Sequence, residues 1–85
     1  MKISILSNLA DKLSSFPEKR RFQLTGAINV LNHIKPEEFS IHELVSESPS
    51  AENMFVFQKD DLRLIITRTG EQDLVLLEVE IRKSK

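Results

Sequence analysis

The last third of the chain constrains the fold more than any other part. Leu62-Arg63-Leu64-Ile65-Ile66-Thr67 and Leu74-Val75-Leu76-Leu77-Glu78-Val79-Glu80-Ile81 are aliphatic runs with the composition of β-strands. Between them Thr69-Gly70-Glu71-Gln72-Asp73 supplies a hairpin turn, with Gly70 free to take positive φ. Strict alternation puts Val75, Leu77, Val79 and Ile81 on one face of the last strand, while Leu74 and Leu76 begin the other. Apolar residues on both faces predict a central strand, at least at its N-terminal end. A further strand precedes this pair: Phe55 and Phe57 alternate around Val56, and Asp60-Asp61 forms a tight turn.

The first half reads differently. Met1 to Leu6 alternates, with Ile3 and Ile5 on one side, as a short half-buried strand does. Ser7 or Asn8 suits a helix N-cap, and Leu9, Leu13 and Phe16 follow on one helical face. Ser15 and Glu18 have capping-box spacing around Pro17, which predicts a second helix starting there. Leu24, Ala27, Ile28, Leu31 and Ile34 make its apolar stripe, which Lys35-Pro36 ends. In the irregular stretch that follows, Phe39, Ile41, Leu44 and Val45 fit a short helix or an edge strand, and residues 46–53 read as a polar loop. The expected fold is α+β in the order β-α-α-β-β-β: a short N-terminal strand, a helical hairpin, then an antiparallel three-stranded meander. At 85 residues this is a single domain, 1–85, with one core.

The chain has no Cys, which excludes a disulfide framework, a Cys-based zinc site and thiol catalysis. No apolar run approaches the roughly 20 residues that span a bilayer, and the opening Met-Lys-Ile-Ser-Ile-Leu is too short for a signal-peptide core. A cytoplasmic protein without membrane contact is expected. The net charge of −1 speaks against a strongly basic nucleic-acid module, but it is unevenly placed. Residues 1–35 hold six cations and two anions, residues 36–61 one cation and seven anions, and residues 62–85 five cations and four anions. The segments therefore carry +4, −6 and +1.

No catalytic motif stands out. His33 and His42 lack any metal-ligand spacing and read as surface or capping histidines, so neither a metal nor a cofactor is expected. Glu37-Glu38 and Asp60-Asp61 fit helix N-terminal and turn chemistry. The five Phe residues read as core. The cations offer more. Lys19-Arg20-Arg21 falls in the first turns of the long helix, where the macrodipole disfavours positive charge, and is either a solvated face or a basic patch for a partner. Arg63 lies on the side of its strand that carries Ile65 and Thr67, so it must reach solvent, pair with a carboxylate or face a polyanion. Arg82 shares a side with Glu78 and Glu80. On neighbouring strands the two arginines could form a phosphate clamp, or pair as Arg63–Glu78 and Arg82–Glu80.

The element order, with Asp61-Leu62-Arg63-Leu64-Ile65-Ile66, a hairpin, and Leu74 through Lys83, resembles the RelE/ParE superfamily, the toxins of bacterial type II toxin–antitoxin pairs. The resemblance covers essentially the whole chain through short, degenerate motifs. It implies a cognate antitoxin as partner. For RelE-type members it implies a ribosome-dependent mRNA interferase in which cations stabilise charge developing on the scissile phosphate. Arg63 and Arg82 then take the catalytic positions, and Lys59, Arg68, Lys83 and Lys85 contact RNA. The chain departs from that pattern: Met54 and Val56 stand where lysines are usual, Leu62 replaces the aromatic, and there is no Tyr. Without a general acid or base, about 10²–10⁴ in rate is lost. The alternative is a non-enzymatic, ParE-like inhibitor that grips a protein such as DNA gyrase and needs none of the missing groups.

Overall fold

The computed structural model describes residues 1–48 and 52–82. The elements are β1 (Lys2–Ile5), α1 (Ser7–Ser14), α2 (Glu18–His33), a 3-10 helix (Pro36–Ile41), β2 (Val45–Glu47), β3 (Met54–Lys59), β4 (Leu62–Arg68) and β5 (Asp73–Ile81). The five strands form one mixed sheet in the order β1-β5-β4-β3-β2. This α+β architecture corrects the expected three-stranded meander in two ways. The stretch around Phe39 to Val45, open between helix and strand, supplies a 3-10 helix and then the start of β2; β2 continues through Ser46 and Glu47, where a loop is expected, because both pair antiparallel with β3. At the other edge β1 joins β5 in parallel.

From β1 the chain passes over one face of the sheet through α1, α2 and the 3-10 helix, which leads into β2 at the far edge. The 16-residue α2, about 24 Å long at 1.5 Å per residue, starts beside the β3–β4 turn, where Arg20 reaches Asp61, and ends beside the start of β1, where Met1 reaches Ile34. Its stripe packs as the sequence predicts: Leu24, Ala27, Leu31 and Ile34 join Leu9 and Leu13 of α1 over Phe55, Phe57, Leu62, Leu64, Ile66, Leu74, Leu76 and Val79 in one core. Phe39 fills the β2 side of this layer, edge-to-face with Phe55 at 4.9 Å between centroids. The Met1 ammonium donates to the carbonyls of Ile34 and Asn32, which α2 itself leaves unpaired.

Local details depart from expectation for identifiable reasons. The capping box does not form: Ser15 Oγ donates to the Lys12 carbonyl at the end of α1, Pro17 takes the N-cap position of α2, and no side chain caps it. Neither does a side chain cap α1, whose N-cap is Leu6. Gly70 has no positive φ; the left-handed residues are Asn53 and Asp60, the first residue of the β3–β4 turn. Gly70 serves close approach instead, since a Cβ there would lie 2.9 Å from Asp73 Oδ2. Phe22 is not core: it is 82% exposed on α2.

The largest departure is in β5. Ile65 pairs with Glu78 but Ile66 pairs with Leu76, so Leu77 is an extra, unpaired residue, a β-bulge. The bulge shifts the alternation by one. Leu74, Leu76 and Val79 therefore face the core together, and Val75 and Leu77 face away from it. The strand is nevertheless central at its N-terminal end, where β1 flanks residues 73–76 and β4 the other side.

Candidate interaction face

Alternation along β3 and β4, with the bulge in β5, sends a second set of residues to the side of the sheet opposite the helices. Three cross-strand rows result: Met54, Thr67, Val75 and Ser4; Ser46, Val56, Ile65 and Glu78; and Gln58, Arg63 and Glu80. Met54, Val56, Ile65, Val75 and Leu77 are half-buried, yet none belongs to the core cluster or packs against it. At the border of this face Lys12 of α1 reaches Glu78. The sheet thus has one filled face and one face carrying a half-buried apolar strip among polar residues.

Arg63 stands at the end of that face. Its Nη1 lies 3.9 Å from Glu80 Oε1, the limit of an ion pair, and its buried Nε has no hydrogen-bond partner among the described residues. Arg82 continues β5 past the last strand pair, its backbone N–H donating to the Asp61 carbonyl at 2.7 Å. It is exposed and lies on the Glu80 side. Arg63 and Arg82 are therefore diagonal neighbours, about 7–8 Å apart by strand geometry. The expected Arg63–Glu78 pair does not form, because Glu78 accepts from Lys12 Nζ of α1 at 2.6 Å.

The other predicted cations are placed elsewhere. Arg68 has the register of Leu62, Leu64 and Ile66, so it points to the core side, away from Arg63. Its guanidinium lies 5.6 Å over the Phe39 ring and donates to the carbonyls of Pro36, Gly70 and Glu71. Lys59 ends β3 and reaches Asp60 at 3.4 Å. Lys83 and Lys85 lie outside the described residues. In the Lys19-Arg20-Arg21 run, Arg20 donates to Asp61 Oδ2 at 2.7 Å and to Gln23 at 3.0 Å, leaving Lys19 and Arg21 exposed. The histidines act as local caps. His33 Nδ1 donates to the Asn29 carbonyl at 2.7 Å, and His42 Nδ1 accepts from the Leu44 N–H at 3.1 Å. No three metal-ligating side chains cluster among the described residues.

Two carboxylates are shifted by their partners. The hydrogen bond from Arg20 holds Asp61 below its ordinary value of 3.8. The hydrogen bond from Lys12, with one from the Val79 N–H, holds Glu78 below 4.5. Depressed folded-state values add stability that is present above the ordinary values and lost as pH falls through the lowered ones. Thermal melting is expected to weaken below about pH 4.5, and Lys12→Met and Arg20→Met should each flatten that acid limb. Equal acid slopes in both variants and the wild type would contradict the assignment. Both pairs are substantially exposed, so the effect at neutral pH is small.

The outward aliphatic residues are what the sequence left unassigned. Their signal is there, in the apolar residues on both faces of β3, β4 and β5, but it reads equally as a covered second face. No helix is long and apolar enough to cross a membrane among the described residues. Comparison with known proteins returns no match to any family model, any curated protein or any solved structure.

Proposed function

We propose that this chain works by binding, presenting the open face of its sheet to a protein partner, as the non-enzymatic, ParE-like alternative within the toxin superfamily it resembles would do. The observation that carries this reading is the face itself: Val56, Ile65, Val75 and Leu77, outside the core, with Arg63 and Arg82 at its border. An apolar centre with arginine at the edge is the anatomy of a protein interface. A cognate antitoxin would cover the face, and a cytoplasmic protein such as DNA gyrase would be its target.

The mRNA-interferase reading is second. It is favoured by the unmet Nε donor of Arg63 and the exposure of Arg82. Against it, the titratable neighbours on this face are Glu80, turned to Arg63, and Glu78, held by Lys12. Neither is positioned as a free general base, and both oppose an incoming phosphate. Phe16, Phe39, Phe55 and Phe57 all belong to the core or pack on it, so they offer no base-stacking platform there.

Induced expression in a bacterial host separates the two. Growth arrest with intact mRNA is the expected result. Arrest with mRNA cut in the ribosomal A site, abolished in an Arg63→Ala, Arg82→Ala double variant, would replace it with the nuclease reading. Absence of arrest by the wild-type chain would overturn both.

A further inference from the structure

We propose that α2 pairs antiparallel with α2 of a second copy of this chain, making a two-fold dimer on the side of the molecule opposite the open sheet face. Two oddities of α2 carry the inference, and nothing among the described residues explains either. Phe22 is 82% exposed. One turn further, Gly26 sits inside a 16-residue helix, where glycine costs about 1 kcal/mol relative to alanine. A Cβ at Gly26 would meet nothing within 4 Å, so no packing among the described residues requires the glycine.

The two residues share the outermost stripe of the helix with Glu18, Asn29 and His33, opposite the buried Leu24, Ala27 and Leu31. An antiparallel pair with its two-fold axis level with Leu24 sets Phe22 of each copy against Gly26 of the other. A large side chain then enters the gap left by a missing one, twice. The same axis places Lys19 opposite Asn29 of the second copy.

Charge agrees with this orientation. The start of α2 carries the exposed cations Lys19 and Arg21, neither of which has an ion-pair partner among the described residues. Glu18 offsets part of that charge, and just past the end of α2 Lys35 is followed by Glu37 and Glu38 of the 3-10 helix, so one end is net basic and the other net acidic. Glu38 borders a groove of about 410 Å³ together with Asn29 and His33, at the level Lys19 of the second copy would reach. Antiparallel pairing joins the basic end to the acidic end on both sides, and it also opposes the helix dipoles. A parallel pair would put cation on cation. One helix pair buries less than the roughly 1,200 Å² of a stable interface, so the dimer dissociates in the micromolar range or more weakly. Both sheet faces stay open and point away from each other, which would give a dimer two partner sites.

Sedimentation equilibrium from about 10 μM to 1 mM tests this, a range chosen for a weak interface. The wild type is expected to rise from the monomer mass of 9.8 kDa towards twice that value. Gly26→Leu fills the gap and should remain monomeric with an equal or higher melting temperature. Phe22→Ser, a change at an exposed site, should also be monomeric and keeps the test valid if the leucine variant fails to fold. Lys19→Glu and Glu38→Lys should each weaken association, and mixing the two should restore part of it. A wild type monomeric throughout, or a dimer untouched by Gly26→Leu and Phe22→Ser, would overturn the proposal. So would a partner protein that binds this stripe while the chain alone stays monomeric.

Discussion

Replacing Phe57 by alanine is expected to destabilise the fold by about 3–5 kcal/mol, lowering its melting temperature by roughly 15–30 °C for a chain this short. Phe57 is fully buried at the middle of β3, paired with Val45 of β2 on one side and Leu64 of β4 on the other. With Phe39 it is one of the two largest fully buried side chains, and the His42 ring tilts against it at 6.4 Å. Removing it leaves a cavity that the paired backbones of β2, β3 and β4 cannot easily collapse to fill. Val56, one residue earlier, is the internal control because it faces the open side. Val56→Ala should change stability by less than about 1 kcal/mol. Urea denaturation of both variants measures the contrast; equal losses would mean that the two faces of the sheet are not as different as their burial.

The second large effect is expected at Arg68. Arg68→Met keeps the aliphatic stem and removes a guanidinium that donates to three carbonyls, at 3.3 Å to Pro36, 3.4 Å to Gly70 and 2.6 Å to Glu71. It also removes the cation over the Phe39 ring. This one side chain ties the 3-10 helix to the β4–β5 turn. Hydrogen bonds from a charged donor contribute about 1.5–3 kcal/mol, so a loss of about 2–3 kcal/mol is expected. Arg63→Met, whose one ion-pair partner among the described residues is Glu80 at 3.9 Å, should cost well under about 1 kcal/mol. Melting curves for the two variants check this directly. Similar small losses would mean that Arg68 is as free to take a ligand as Arg63 is.

The contrast between these arginines shows what the sequence could convey. Register parity along β4 was legible: Arg63 alternates with Leu62, Leu64 and Ile66, while Arg68 shares their phase. The partners were not, because the carbonyls that hold Arg68 come from residue 36 as well as residues 70 and 71, and Asp61 reaches back 41 positions to Arg20. The helical stripe from Leu24 to Ile34 could be read because the 3.6-residue period is repeated several times. Phe22 falls outside that stripe by the same rule, so its exposure is legible too. The bulge at Leu77 leaves no compositional trace. One unpaired leucine among leucines and valines looks like regular strand, yet it decides which face Val75 and Val79 occupy. Most important for function, apolar residues on both faces of a strand say that two faces are apolar, not that both are covered.

That open face is the central claim, and a single outward substitution tests it most directly. Ile65 sits in the middle of β4, opposite Val56 and Glu78, and faces away from the helices. Ile65→Lys places a charge at the centre of the proposed interface while its stem still covers the strand. Growth arrest on induced expression should be lost in Ile65→Lys, with its melting temperature within a few degrees of the wild type. Arrest should persist in Gln72→Lys, in the exposed β4–β5 turn. Full arrest by a folded Ile65→Lys variant would contradict the account.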